Sequence, residues 1–225
     1  MRKIALLALI SLPLVAGFFP QTIHTSITSI DKKSITLSTP LQEGMSGVVV
    51  HDYGNEIKAI TSRVIQKNTK ETILIDNDII KHDKLPTINT EVTTGDTVIG
   101  GYLYNTVLLL APDAKTYAQI TTSIDKNWIH PDLYALFLTS YGDNVPTKQN
   151  LKSFAKKYQV GLIYIVSHDT AKLLDPISGK IVGQKSMTNL TKKAKAPFFM
   201  RFDEIDSGLF STDNTKSYYN IMDNL

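Results

Sequence analysis

From Gln21 to about Gly100 the apolar positions fall in short runs rich in Ile, Val and Thr, separated by turn-forming residues. TIHTSITSI and SITLST flank the polar turn DKK; GVVVHDY, IKAITSRVIQ and ETILIDN follow, and DTVIGGYLY comes after a loop holding Pro86. Strands repeating at roughly 8 to 12 residues predict an antiparallel sandwich or small barrel. Two of them are entered through similar glycine turns, EGMSGVVV and TTGDTVIG, where Gly44, Gly47 and Gly95 are expected to supply positive φ. The similarity stops with that pair, so a propeller or solenoid is not indicated.

After Gly101 the period changes. TVLLLAP, Thr106 to Pro112, is a nearly continuous apolar run, the pattern of a strand buried on both faces. Asp113 then caps a helix predicted through about Ile120. A second helix is predicted from His130, with Pro131 in its first turn and Asp132 near the positive end of its dipole, ending near Gly142. A third starts at Thr147 and buries Leu151, Phe154, Ala155 and Tyr158, the i, i+3, i+4, i+7 spacing of one face. GLIYIVS is the next strand, and AKLLDPISGKIVGQ reads as a hairpin turning at Asp175, Pro176 and Gly179. Strand, three helices, strand and hairpin make an α/β unit whose long crossover lets the two apolar strands pair in parallel. The fold class expected is therefore α+β: an N-terminal antiparallel barrel or sandwich over 18–100, an α/β domain over 101–205, and a polar tail or short terminal helix over 206–225.

The first 17 residues belong to neither half. Arg2 and Lys3, the apolar run Ile4 to Ala16, and the small residues Ala16 and Gly17 before FFPQ read as a secretory signal peptide. That run is shorter than the roughly 20 apolar residues that span a bilayer, so the expected product is exported, with no transmembrane segment in the mature chain. Removing the leader takes away two cations and no acid, lowering the net charge from +3 to +1, which disfavours nucleic acid as a partner. The chain has no cysteine, which excludes disulfides, thiolate metal sites, a thiol nucleophile and a cysteine-linked lipid anchor.

Candidate chemistry adds little. Ser167, His168 and Asp169 stand in a row, but alternate residues of a strand face opposite sides, so the imidazole cannot lie between the other two as a triad requires. No GxSxG turn surrounds Ser167. His24, His51, His82 and His130 are scattered without HExxH spacing. Asp76, Asn77, Asp78 and Asp83 resemble a calcium loop only in acidity, because Ile80 occupies a ligand position and the central glycine is missing. Asp203, Glu204 and Asp206 read as surface acids, Asn189, Leu190 and Thr191 match a glycosylation acceptor, and no P-loop or GxGxxG is present. No catalytic residue, cofactor or metal is expected.

One segment invites a partner. KKAKAPFFMRF joins Lys192, Lys193 and Lys195 to Phe198, Phe199 and Phe202, and lysines beside aromatics suit an acidic or lysine-recognising protein. The alternative is a basic loop leading into a strand whose aromatics are core.

The blocks EGMSGVVV, NTVLLLAPDAKTYAQI, IHPDLYALFL, YQVGLIYIVS and APFFMRFDEIDSG, in that order, resemble the N-terminal domain of bacterial plasminogen-binding proteins of the PgbA type, from about Thr22 to Gly208. The resemblance implies a cell-surface or envelope protein that binds host plasminogen in a lysine-dependent manner, without catalysis. Longer members carry a lysine-rich charged tail after this domain, whereas here Lys216 is the last lysine before Leu225. The competing expectation is a periplasmic envelope assembly or scaffold factor whose partners are other envelope proteins.

Overall fold

In the first half, alternating buried and exposed positions curl the strands around one apolar interior. The computed structural model describes residues 17–76, 90–188, 190–191, 193–202 and 217–225. Strands β1 (Ile23–Asp31), β2 (Ser34–Leu37), β3 (Ser46–Asp52), β4 (Lys58–Asn68), β5 (Glu71–Asp76) and β6 (Thr97–Gly100) form a closed barrel in the order β1-β2-β5-β4-β3-β6. All neighbours in it are antiparallel. Ile27, Ile35, Val49, Val64 and Val98 point inward and are buried. Closure leaves no strand edge of the barrel unpaired. Gly44 and Gly95 do adopt positive φ, 81° and 96°. Gly47 does not: it lies where β3 meets β6, and a Cβ would stand 2.6 Å from the Ile99 carbonyl oxygen. Its requirement is close approach, not a left-handed turn. The run DTVIGGYLY stops being a strand at Gly100 because Gly101, at φ 67°, turns the chain away.

The second half contains β7 (Thr106–Leu110), α1 (Ala114–Ser123), β8 (Asn127–Ile129), α2 (Pro131–Tyr141), α3 (Lys148–Tyr158), β9 (Leu162–Val166), β10 (Thr170–Asp175), β11 (Lys180–Ser186) and α4 (Tyr218–Asp223). The sheet order is β11-β10-β9-β7-β8, with β7 parallel to β9 and to β8 and the hairpin strands antiparallel. The fold is thus α+β with an N-terminal barrel. The crossover is not three helices alone: β8, three residues long, adds an edge strand between α1 and α2. NWI is too short to show a period, which is why the sequence hides it.

The helix ends follow local chemistry. Asp113 accepts from the Thr116 N–H, the His130 ring nitrogen accepts from the Asp132 N–H ahead of Pro131, and Thr147 forms a reciprocal capping box with Asn150. Gly142, at φ 72°, ends α2 in the left-handed region.

Both faces of the sheet are buried, as the apolar β7 and β9 demand. Val107, Leu109, Leu162, Tyr164 and Leu173 share one cluster with the barrel interior, and α1 joins it through Ile120. Leu108, Leu110, Ile163 and Ile165 face the other way into a cluster with α2, α3 and α4. The barrel and sheet are pinned at Asp175, which is 0% exposed. Its Oδ2 accepts from the Ser46 N–H (2.8 Å), the Ser46 hydroxyl (2.6 Å) and the Tyr104 hydroxyl (2.7 Å). Its Oδ1 accepts from Ile177 and Ser178 N–H groups, each at 2.9 Å, which hold the β10–β11 turn. Burial, and then the adjacent Asp175 carboxylate, push the Tyr104 phenol above its ordinary value, so it stays a donor.

Candidate partner-binding surface

The segment 193–202 runs across the carboxyl ends of the parallel strands. Its backbone is tied down by Lys195 N–H donating to the Pro112 carbonyl and Phe199 N–H to the Ala111 carbonyl, each at 2.8 Å, just beyond β7. In open α/β sheets that end of the strands is where ligands usually enter. Here the chain's own strap lies across it. Phe198 is 0% exposed and packs on Tyr134 with ring centroids 5.5 Å apart and planes 24° from parallel. Beside it, Tyr218 of α4 donates to both the Leu110 and Val166 carbonyls, at 2.9 and 2.8 Å, joining the ends of β7 and β9.

The outer side of the strap is a mixed aromatic and charged surface. Phe199 is half-buried, 5.4 Å from the Tyr117 ring and 6.3 Å from His130. Arg201 donates its backbone N–H to Asp132 Oδ1 (2.9 Å) and its Nε–H to Oδ2 (2.7 Å), leaving the rest of its side chain 69% exposed. Burial pulls the Asp132 carboxyl upward, but the two Arg201 bonds and nearby His130 outweigh it and hold the group below its ordinary value. Burial also lowers His130, against the pull of Asp132. A neutral ring fits its place, since Nδ1 accepts the Asp132 N–H at 3.2 Å as the cap of α2.

The expected partner residues therefore separate. Lys193 is exposed, and its N–H is held by the Thr191 hydroxyl at 3.1 Å. Lys195 donates its ammonium to the Met200 and Phe202 carbonyls, at 3.1 and 2.9 Å, so it braces the strap it belongs to. Phe199 is accessible at the surface; Phe198 faces the core. Lys192 lies outside the described residues, as do residues 1–16 of the expected leader, Asn77, Asp78, His82, Asp83, Asn189, the acids Asp203, Glu204 and Asp206, and most of the polar tail. The described end of that tail is α4, docked through buried Tyr218, Ile221 and Met222. Sequence reasoning missed Arg201, Asp132 and Tyr117 as parts of this surface, because their meeting depends on three separate elements.

Ser167, His168 and Asp169 form the turn between β9 and β10. The Ser167 hydroxyl is buried without a partner, whereas His168 is exposed and its ring meets Tyr219 at 5.2 Å. Serine and imidazole thus point apart. His51 bonds Asp96 through Nδ1 at 2.7 Å, and Asp96 also accepts from the Thr93 N–H at 2.9 Å, a network that fastens the turn before β6. A cavity of about 530 Å³ opens at the barrel mouth beside Lys32, Lys33, Thr61 and Glu91, without a histidine in its lining. Among the described residues no group of three His, Asp or Glu is placed to hold a metal, and no helix is long and apolar enough to cross a membrane.

Comparison with known proteins matches residues 22–225 to a family profile described as plasminogen-binding protein pgbA N-terminal. Two curated relatives are both called plasminogen-binding protein PgbA, from Helicobacter pylori strains J99 and 26695. They are 27% identical over 238 aligned positions and 29% over 241. Each alignment covers 99% of this chain and 51% of the relative, so the chain spans about half the length of the curated relatives it matches. No solved structure matches.

Proposed function

Because the chain belongs to the plasminogen-binding protein pgbA N-terminal family, we propose that it is an exported, non-enzymatic envelope or surface protein that acts as a protein-binding module, with host plasminogen as its partner. The observation that carries this reading is the family match along 22–225, together with the name its curated relatives bear. The leader-like N-terminus supports export. Phe18, the first residue after the expected cleavage point, packs its ring on Tyr164 at 5.3 Å. The strap across the strand ends supports binding rather than catalysis, because it fills the usual ligand crevice with the chain's own Phe198. The surface we assign to the partner is Lys192, Lys193 and Lys195 with Phe199.

The test is capture of the chain from Phe18 to Leu225 on immobilised plasminogen, with and without a soluble lysine analogue. Capture that the analogue abolishes is expected. Replacing Lys192 and Lys193 by alanine leaves the bracing bonds of Lys195 intact and is expected to weaken capture without lowering stability. Undiminished capture by that pair removes the segment from the interface. No capture of the parent chain overturns plasminogen as the partner and directs the search to other envelope proteins.

A further inference from the structure

The helical layer concentrates positive charge that the strap does not account for. Along α3, Lys148, Lys152 and Lys156 recur at every fourth residue, which sets them in a row of about 12 Å on one flank. Lys157 follows on the other flank, and α3 contains no acidic residue. These four lysines exceed by one the net charge of +3 carried by the whole chain. The row borders the buried side formed by Leu151, Phe154 and Ala155, with Lys148 exposed and Lys152 and Lys156 half-buried.

Helix α2 extends the same surface. It lies beside α3 on one face of the sheet, with Tyr134 donating to Asn150 at 2.5 Å and the Phe137 and Phe154 rings 5.3 Å apart. Toward solvent it presents Leu136, 49% exposed, and Tyr141, 60% exposed. Tyr141 leans on Phe137 at 4.4 Å, and the Lys157 ammonium stands 5.9 Å from that same ring. The acid within α2, Asp132, is already engaged by Arg201.

From this we infer that the outer face of α2 and α3 is a docking surface for an anionic lipid bilayer. Charge complementarity selects an acidic partner, and two features favour a bilayer over an acidic protein. All the cations are lysines, point charges on flexible stems, which suit a diffuse array of head groups better than a fixed carboxylate needing a planar fork. Exposed Leu136 and Tyr141 supply the apolar and amphipathic groups that settle at the boundary between head groups and acyl chains. Each lysine held at an anionic surface changes partitioning by about fivefold, and the effect fades as salt shortens the screening length from about 8 Å to about 3 Å.

The experiment is sedimentation of the chain from Phe18 to Leu225, which contains every described element, with vesicles of phosphatidylglycerol and phosphatidylcholine or of phosphatidylcholine alone. Binding to the anionic vesicles only, and its loss in about 1 M salt, is expected. The variant Lys148→Ala/Lys152→Ala/Lys157→Ala is expected to partition on the order of 100-fold more weakly, while Lys58→Ala/Lys67→Ala/Lys70→Ala on the barrel matches the parent. Equal partitioning to both vesicle types, or no loss in the α3 variant, overturns the inference. Capture by polyglutamate without vesicle binding overturns it in favour of an acidic protein. A lysine analogue that blocks plasminogen capture is expected to leave vesicle binding unchanged, so the two surfaces are tested independently.

Discussion

Replacing Asp175 by asparagine tests what joins the barrel to the sheet. Five donors converge on the carboxylate: two backbone N–H groups on Oδ1, and a backbone N–H with two hydroxyls on Oδ2. The asparagine carbonyl can keep the Oδ1 side, because the Ile177 and Ser178 N–H groups need only an acceptor. Its NH2 group then faces Ser46 and Tyr104. Their hydroxyls can rotate to accept, but the Ser46 N–H cannot, and it is left half-buried against another donor. An unsatisfied buried donor costs about 1–3 kcal/mol, and two hydroxyl bonds falling from charge-assisted to neutral cost about 1 kcal/mol each. The expected loss is about 3–5 kcal/mol, a large part of the 5–15 kcal/mol typical of a folded domain. Tyr104→Phe removes one donor and leaves four, so about 1.5–3 kcal/mol is expected. The assay is urea unfolding of each variant, comparing midpoints at constant m. An Asp175→Asn loss below about 1 kcal/mol would refute the argument, since it would mean that the five bonds do not compete with solvent.

Two further outcomes follow from the same geometry. Gly161→Ala is expected to prevent stable folding or lower the unfolding midpoint more than any surface substitution, because its Cβ would lie 2.1 Å from the Leu103 carbonyl oxygen and 2.7 Å from the Tyr104 nitrogen; a midpoint equal to the parent's refutes that approach. The strap is expected to loosen in acid: His130 and Asp132 both have folded values below their ordinary 6.5 and 3.8, so each contribution is complete above the ordinary value and is lost as pH falls through the folded one. His130→Asn keeps a cap acceptor without the titration, and its urea midpoint should fall less than the parent's between about pH 7 and 5; parallel pH profiles would exclude His130.

Several elements were legible because short-range chemistry specifies them. Asp113, His130 with Pro131, and Thr147 start helices by satisfying N–H groups within three residues of themselves. The apolar runs of β7 and β9 contain no polar face to show solvent, which already required cover on both sides and a parallel pairing. The β-rich half was visible as strands, but the choice between sandwich and barrel was not, since closure depends on β1 meeting both β2 and β6.

The candidate surface was legible only in part. KKAKAPFFMRF announced lysines and aromatics together, yet nothing in the string separates Phe198 from Phe199; adjacent side chains on an extended strap point to opposite sides, and only Tyr134 on one and Tyr117 on the other identify which is buried.

By itself, then, the sequence determined the starts of α1, α2 and α3, the strand-rich first half, the parallel pairing of two apolar strands and the family to which the chain belongs, all of which rest on residue periodicity, capping chemistry or ordered motifs. Tertiary structure alone decided that the barrel closes, that Asp175 is a buried joint to the barrel as well as a turn residue, and that Lys195 braces its own loop. Each of these depends on groups distant in sequence being brought within a few ångströms, and neither periodicity nor capping carries information about such encounters.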